Sequence, residues 1–116
     1  MKRNKRIVVI GGSAAGPKAA AKARRTDSKA EVILIQKDAE LSMASCGYPY
    51  YVGGCFDDRN MLLSTPSGVT RDPAFYLNAK DIDAQTNTEV TKMDPDAHTI
   101  EYRSLLTGET GVMEYD

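Results

Sequence analysis

Ile7-Val8-Val9-Ile10-Gly11-Gly12-Ser13-Ala14-Ala15-Gly16 joins an unbroken apolar run to a glycine-rich hexad. Apolar residues at successive positions, rather than alternate ones, are the pattern of a strand buried on both faces of a parallel sheet. The glycines end the strand, and a helix is predicted from about Ala14 to Arg25. Ala15, Ala19, Ala20 and Ala23 fall at helical spacing and predict a small-residue face that packs closely on a sheet. Glu31-Val32-Ile33-Leu34-Ile35 reads as a second buried strand. Strand, turn, helix and strand together span about 30 residues, the length of a right-handed βαβ unit. The fold class is therefore α/β.

Downstream the pattern loosens. Leu41 to Gly54 mixes small residues, a cysteine and three tyrosines, with a short helix predicted over about Ser45 to Val52 despite Pro49. Asp57 to Thr70 reads as loop, punctuated by Pro66-Ser67-Gly68, and a helix is predicted over Pro73 to Lys80. Short strands follow at Ile82 to Ala84, Glu89 to Met93, Thr99 to Arg103 and Gly111 to Tyr115. Asp94-Pro95-Asp96 and Thr107-Gly108 supply turns, so the last three strands form an antiparallel meander.

Composition narrows the function classes. The 116 residues permit one domain at most, and 41% apolar with 27% charged residues describe an ordinary globular protein. A net charge of -1 offers no field for a nucleic acid. Two cysteines without paired spacing make neither a disulfide scaffold nor a metal site. The basic start Lys2-Arg3-Asn4-Lys5-Arg6 precedes an apolar run of four residues, too short for a signal or a membrane span. The expectation is a soluble cytoplasmic domain with a small-molecule ligand, no membrane and no nucleic acid.

After a strand, a G-x-G-x-x-G hexad opens a helix whose free N–H groups and positive dipole end accept a pyrophosphate. The first glycine makes the turn, the second admits the phosphate and the third packs helix on strand. Here Ser13 stands at the middle position. Such a turn also occurs in α/β domains that hold no ligand. The residue ending the second strand is normally Glu or Asp, which binds a ribose hydroxyl. Gln36, 20 residues beyond Gly16, accepts without the charge and leaves the nucleotide open.

Ser42-Met43-Ala44-Ser45-Cys46-Gly47-Tyr48-Pro49-Tyr50 places a thiol just before the short helix, a setting that favours thiolate. A buried, inert cysteine is the alternative. With these blocks in view, the chain resembles the flavoprotein pyridine nucleotide-disulfide oxidoreductases. Within them it is similar to the branch of coenzyme A-disulfide reductase, NADH oxidase, NADH peroxidase and NADH-dependent persulfide reductase. The resemblance runs through VVIGGSAAG, ARRTDSKAEVILIQKD, SMASCGYPYYVGG and TEVTKMDPDAHTIEY. That branch carries one redox cysteine in a Ser-Phe-x-x-Cys motif, where this chain has Met43 for Phe. Cys46 and Cys55 are separated by eight residues, unlike the two-cysteine branch, so Cys55 reads as structural.

The resemblance implies a Rossmann-like FAD-binding βαβ unit plus a small antiparallel meander, with residues 1–116 the N-terminal part of an FAD-binding domain. It implies FAD at Gly11, Gly12, Ser13, Ala14, Ala15 and Gly16, with Gln36 and Lys37 at the ribose, Val90 at the adenine, and Ser45 near the flavin. Cys46 would be the catalytic thiol, cycling through a mixed disulfide or a sulfenic acid, with electrons from NAD(P)H. Positions matching Lys18, Lys22, Arg25, Ser42, Ser45 and Lys80 line a coenzyme A site in the disulfide reductases. Lys18, Lys22 and Arg25 also form a cationic stripe by spacing alone, which is most often a solvated helix face.

Peroxidase and oxidase members carry a histidine where Ala14 stands, and His98 is expected to be exposed in the meander. That favours coenzyme A disulfide or persulfide over peroxide or oxygen. The NADH-binding and dimerisation domains of a homodimeric parent are absent from this stretch, so by itself it should turn nothing over. It should also hold FAD weakly and present an open sheet edge. A nucleotide- or coenzyme A-binding module without redox chemistry is the competing expectation.

Overall fold

The computed structural model describes residues 4–43, 45–65 and 67–116. β1 (Arg6–Ile10), α1 (Ala15–Thr26) and β2 (Glu31–Ile35) form the βαβ unit. A 3-10 turn (Ser45–Gly47) leads into α2 (Tyr48–Val52), and a second 3-10 turn spans Arg59–Leu62. α3 (Pro73–Lys80), β3 (Asp83–Gln85), β4 (Thr88–Asp94), β5 (Thr99–Ser104) and β6 (Thr110–Glu114) complete the order.

β2 lies between β1 and β3, parallel to both, and β4-β5-β6 form a separate antiparallel sheet. β2 shows why its sequence lacks alternation. Val32 and Leu34 join Ala20, Leu41, Tyr76 and Ile82 in one core, while Ile33 and Ile35 pack with Ile100 in another. Successive side chains point to opposite faces, and both faces are covered, so every position from Val32 to Ile35 is apolar. The helices cover one face and the meander covers the other. Gln36 N–H donates to Gln85 O at 2.8 Å and Thr88 N–H to Gln36 O at 3.1 Å, stitching the end of β2 to the start of the meander.

Two expectations need correction. The apolar run predicts that β1 is buried on both faces, yet its residues are half-buried and Ile10 is 52% exposed. It is the outer strand: β2 holds one edge, and on the other Asp116 N–H donates to Arg6 O at 2.9 Å. The face of α1 that packs on the sheet is Gly16, Pro17, Ala20 and Ala23, whereas Ala15 and Ala19 are exposed. The alanine pattern therefore lies a fraction of a turn out of phase with the buried face, because Gly16 and Pro17 provide the contact.

Asp72 caps α3, its carboxylate accepting from Phe75 N–H at 2.9 Å, with Pro73 in the first turn. At the other end Asp81 adopts a left-handed conformation (φ 54°), and its carbonyl accepts from Arg24 Nη2 at 2.8 Å and Nε at 3.1 Å. That clamp fixes the end of α3 beside α1.

A Cβ built at Gly16 would lie 1.6 Å from Gly11 O and 2.8 Å from Gly11 C, both backbone atoms. Gly16→Ala should cost roughly 3–5 kcal/mol, because backbone cannot move aside as a side chain can. Gly108→Ala, at φ 76° with open space around it, should cost about 1–2 kcal/mol. Urea denaturation followed by circular dichroism checks both, and equal losses would contradict the close approach.

Candidate functional site

The glycine turn shows which of its N–H groups are committed. Gly11 (φ 104°) donates to Ile35 O at 2.8 Å, and Gly12 to Gln36 Oε1 at 3.0 Å. Ser13, Ala14, Ala15 and Gly16 precede the first intrahelical bond, and α1 has no side-chain cap and no acidic residue in its first turn. Pro17 is buried at the next position, where its missing N–H costs nothing. Among the described residues these N–H groups have no protein acceptor, so the turn presents backbone donors at the positive end of a 12-residue helix. These features fit the diphosphate of a dinucleotide.

Gln36 is 7% exposed and braces this turn. Its Oε1 takes the Gly12 N–H, and its Nε2 donates to Glu40 O at 3.0 Å. Both ends of the amide are engaged, although the oxygen keeps a second lone pair. An amide is the one group of this shape that can both accept from Gly12 and donate to Glu40. Lys37 beside it is exposed. Val90 is half-buried in the core of the meander face, next to a break in the β4–β5 register between Val90 and Lys92.

The loop after β2 returns to the same turn. Ser42, in a left-handed conformation (φ 53°), donates from its N–H to Gly12 O at 2.7 Å, and its hydroxyl is hydrogen-bonded to the Tyr76 hydroxyl. Met43 follows on the wall of a cleft. Cys46 lies three residues further, within a reach of about 11 Å, and is exposed at the start of the helical segment. The buried-cysteine alternative is therefore set aside. A Cβ at Gly47 would meet Leu62 Cδ2 at 2.6 Å, so the Leu62 side chain packs close against this turn. Cys55, expected to be structural, is exposed: its backbone N–H, not its thiol, closes the helix on Tyr50 O at 2.9 Å. The side chain of Ser45 and the residue Pro66 lie outside what the structure describes.

The cleft has a volume of about 440 Å³. Ser13 and Ala14 from the turn, Lys18 from α1, and Ser42, Arg71 and Lys80 are among its lining residues, and no acidic side chain is among them. Lys80 also borders a smaller groove with Arg25. Of the expected substrate positions, the structure brings Lys18, Ser42 and Lys80 to one cleft and Arg25 to its neighbour. Lys22 is exposed and lines neither. Sequence reasoning misses Arg71, Phe75 and Tyr76. Asp72-Pro73 signals the helix start that places Arg71 at its mouth, but nothing in spacing ties that loop residue to α1.

His98 is exposed as expected, with its ring stacked on Tyr115 at 5.6 Å in the β4–β5 turn. Among the described residues, no cluster of His, Cys, Asp and Glu could hold a metal, and no helix is long and apolar enough to cross a membrane.

The model of the pyridine nucleotide-disulphide oxidoreductase family matches residues 5–116. A coenzyme A disulfide reductase of Staphylococcus epidermidis is 32% identical over 111 residues, 96% of this chain and 24% of that enzyme. A NAD-dependent persulfide reductase from A. fulgidus superposes with a TM-score of 0.90 at 37% identity, over 96% of this chain and 20% of that one. A water-forming NADH oxidase from Lactobacillus brevis, solved with NADH bound, gives 0.83 at 26% identity, over 97% and 24%. The chain spans about a quarter of the length of the curated relatives it matches.

The Gln36 bridge has a direct test. Gln36→Leu leaves Gly12 N–H and Glu40 C=O without their side-chain partner and should cost about 1–3 kcal/mol. Gln36→Glu keeps the acceptor and loses the donor, so its loss in urea denaturation should be smaller. Equal stability of Gln36→Leu and the unsubstituted chain would show that the bridge contributes nothing.

Proposed function

Because the chain belongs to the pyridine nucleotide-disulphide oxidoreductase family, whose members are FAD-dependent with NAD(P)H as co-substrate, we propose that it is the FAD-binding part of a coenzyme A disulfide or persulfide reductase working through Cys46. The observation that carries this reading is the exposed Cys46 three residues beyond Met43, which lines a cleft with cations, without acids and with the glycine turn on its wall. In this reading NAD(P)H binding and homodimer formation belong to segments outside these 116 residues.

The open N–H groups of Ser13 to Gly16 would hold the FAD diphosphate, with Gly11 and Gly12 shaping the turn. The free lone pair of Gln36 Oε1 would meet a ribose hydroxyl beside Lys37, Ser45 would lie near the flavin, and the Val90 backbone would face the adenine. Bound FAD supplies the electron pair that it takes from NAD(P)H.

The chain's own chemistry is that of Cys46. Its thiolate attacks one sulfur of coenzyme A disulfide, the substrate S–S bond breaks, a mixed disulfide forms and one coenzyme A thiolate leaves. Two electrons then split the mixed disulfide into the Cys46 thiolate and a second coenzyme A thiolate. With a persulfide, attack on the outer sulfur leaves a persulfide on Cys46 and releases coenzyme A thiolate. Lys18 and Lys80, with Arg25 alongside, would balance the phosphates of the ligand. Ser42 would fix the loop that carries the thiol through its bonds to Gly12 and Tyr76.

Ala14 supports this substrate class over peroxide or oxygen. It lines the cleft without a proton donor, while His98 is held against Tyr115 in the meander. Incubating the chain with excess coenzyme A disulfide should attach one coenzyme A, mapped to Cys46 by mass spectrometry. Cys46→Ser should abolish the adduct and Cys55→Ser should not. No adduct, or equal labelling of Cys46 and Cys55, would defeat the proposal and favour the oxidase or the non-redox reading.

A further inference from the structure

We propose that Arg71 is a specificity-determining residue of this cleft, and that it holds the diphosphate of the coenzyme A substrate. The inference rests on the reductase reading and extends it to a residue that the motifs do not mark.

Arg71 is half-buried, and its guanidinium has no hydrogen-bond or ion-pair partner among the described residues. Arg6, Arg59 and Arg103, by contrast, are paired with Glu31, Glu40 and Glu89. The nearest acid in sequence is already used, because the Asp72 carboxylate caps α3 through Phe75 N–H. The backbone of Arg71 is pinned on both sides. Its N–H donates to the carbonyl of buried Leu63 at 2.8 Å, next to the Ser64–Thr70 bridge, and the capped helix starts directly after it. A cation fixed at its backbone and left without a counterion is preorganised for an anionic ligand.

Its place in the cleft selects which anion. Arg71 and Thr65 lie on the wall shared by the 440 Å³ cleft and a second cavity of about 660 Å³. The second cavity contains Asp58, so the side free of acids is the one shared with Lys18 and Lys80. Lys80 ends the eight-residue α3 and Arg71 stands two residues before its first residue, so their backbones lie about 12–14 Å apart. Two anionic groups can therefore be held along this wall. Coenzyme A carries two phosphate loci, and from the sulfur outward the diphosphate comes before the ribose 3′-phosphate. The sulfur must lie toward Met43 and Cys46, which places the diphosphate in the cleft with Arg71. The 3′-phosphate then falls to Lys80 and Arg25, in the adjoining groove.

Calorimetric titration of the chain with coenzyme A, 3′-dephospho-coenzyme A and phosphate-free pantethine tests the assignment. Arg71→Met should weaken coenzyme A and dephospho-coenzyme A alike by ~10-fold and leave pantethine unchanged, with Arg71→Lys in between. Circular dichroism of the variants secures the fold. Unchanged affinities in Arg71→Met, or a loss confined to coenzyme A, would overturn the assignment while the Cys46 reading stands. Failure of the unsubstituted chain to bind coenzyme A, or to form the Cys46 adduct, would instead overturn the reading beneath it.

Discussion

The carbonyl of Gly11 occupies the space where a side chain at position 16 would begin, with only 1.6 Å between that oxygen and a built Cβ. This contact sets how closely α1 approaches β1, and much else follows from it. It brings the start of α1, which has no side-chain cap, over the end of β1. Gly12 is packed against Leu41 and Gln36. Its N–H donates to the Gln36 side chain, and its carbonyl accepts from Ser42, the neighbour of Leu41. The loop that carries Ser42, Met43 and Cys46 is therefore attached to the phosphate turn itself. The glycine turn and the loop that leads to Cys46, distant in sequence, are tied together by the Ser42–Gly12 hydrogen bond.

The parts of this architecture legible in sequence are those dictated by local chemistry. β2 and α3 appear with the expected bounds, because a solid β-branched run and an Asp-Pro cap leave little choice. The meander is equally legible from its turns. The sheet-facing side of α1 is not, since alanine packs as well on a sheet as in water and does not mark a face by itself. The depth of β1 is hidden for another reason. The apolar run from Ile7 to Ile10 reports what a strand can bury, not whether a neighbour stands beside it.

Site residues divide in the same way. The glycines and Gln36 are legible because their spacing is a physical requirement of the turn, although the internal role of Gln36 depends on Glu40 and has no local signal. Cys46 is marked by its motif, and its exposure adds what the motif leaves open. Arg71 carries no mark because it stands outside any periodic element, in a loop whose conformation depends on Leu63. Spacing puts Lys22 on the stripe with Lys18 and Arg25, yet Lys18 lines the cleft and Arg25 the adjoining groove while Lys22 lines neither, a difference that spacing does not carry.

A net charge of -1 suggests no electrostatic preference for any partner, and that sum conceals how the charges are arranged. Arg6, Arg24, Arg59, Lys92 and Arg103 are each paired with a carboxylate. Lys18, Arg71 and Lys80 have no such partner among the described residues and share a wall with no acid. Paired charges on the outside cancel at the distance of a Debye length, whereas three unpaired cations around a concave surface do not. The cleft therefore carries a positive field of its own. A concave cluster of this size suits a compact anion better than an extended one.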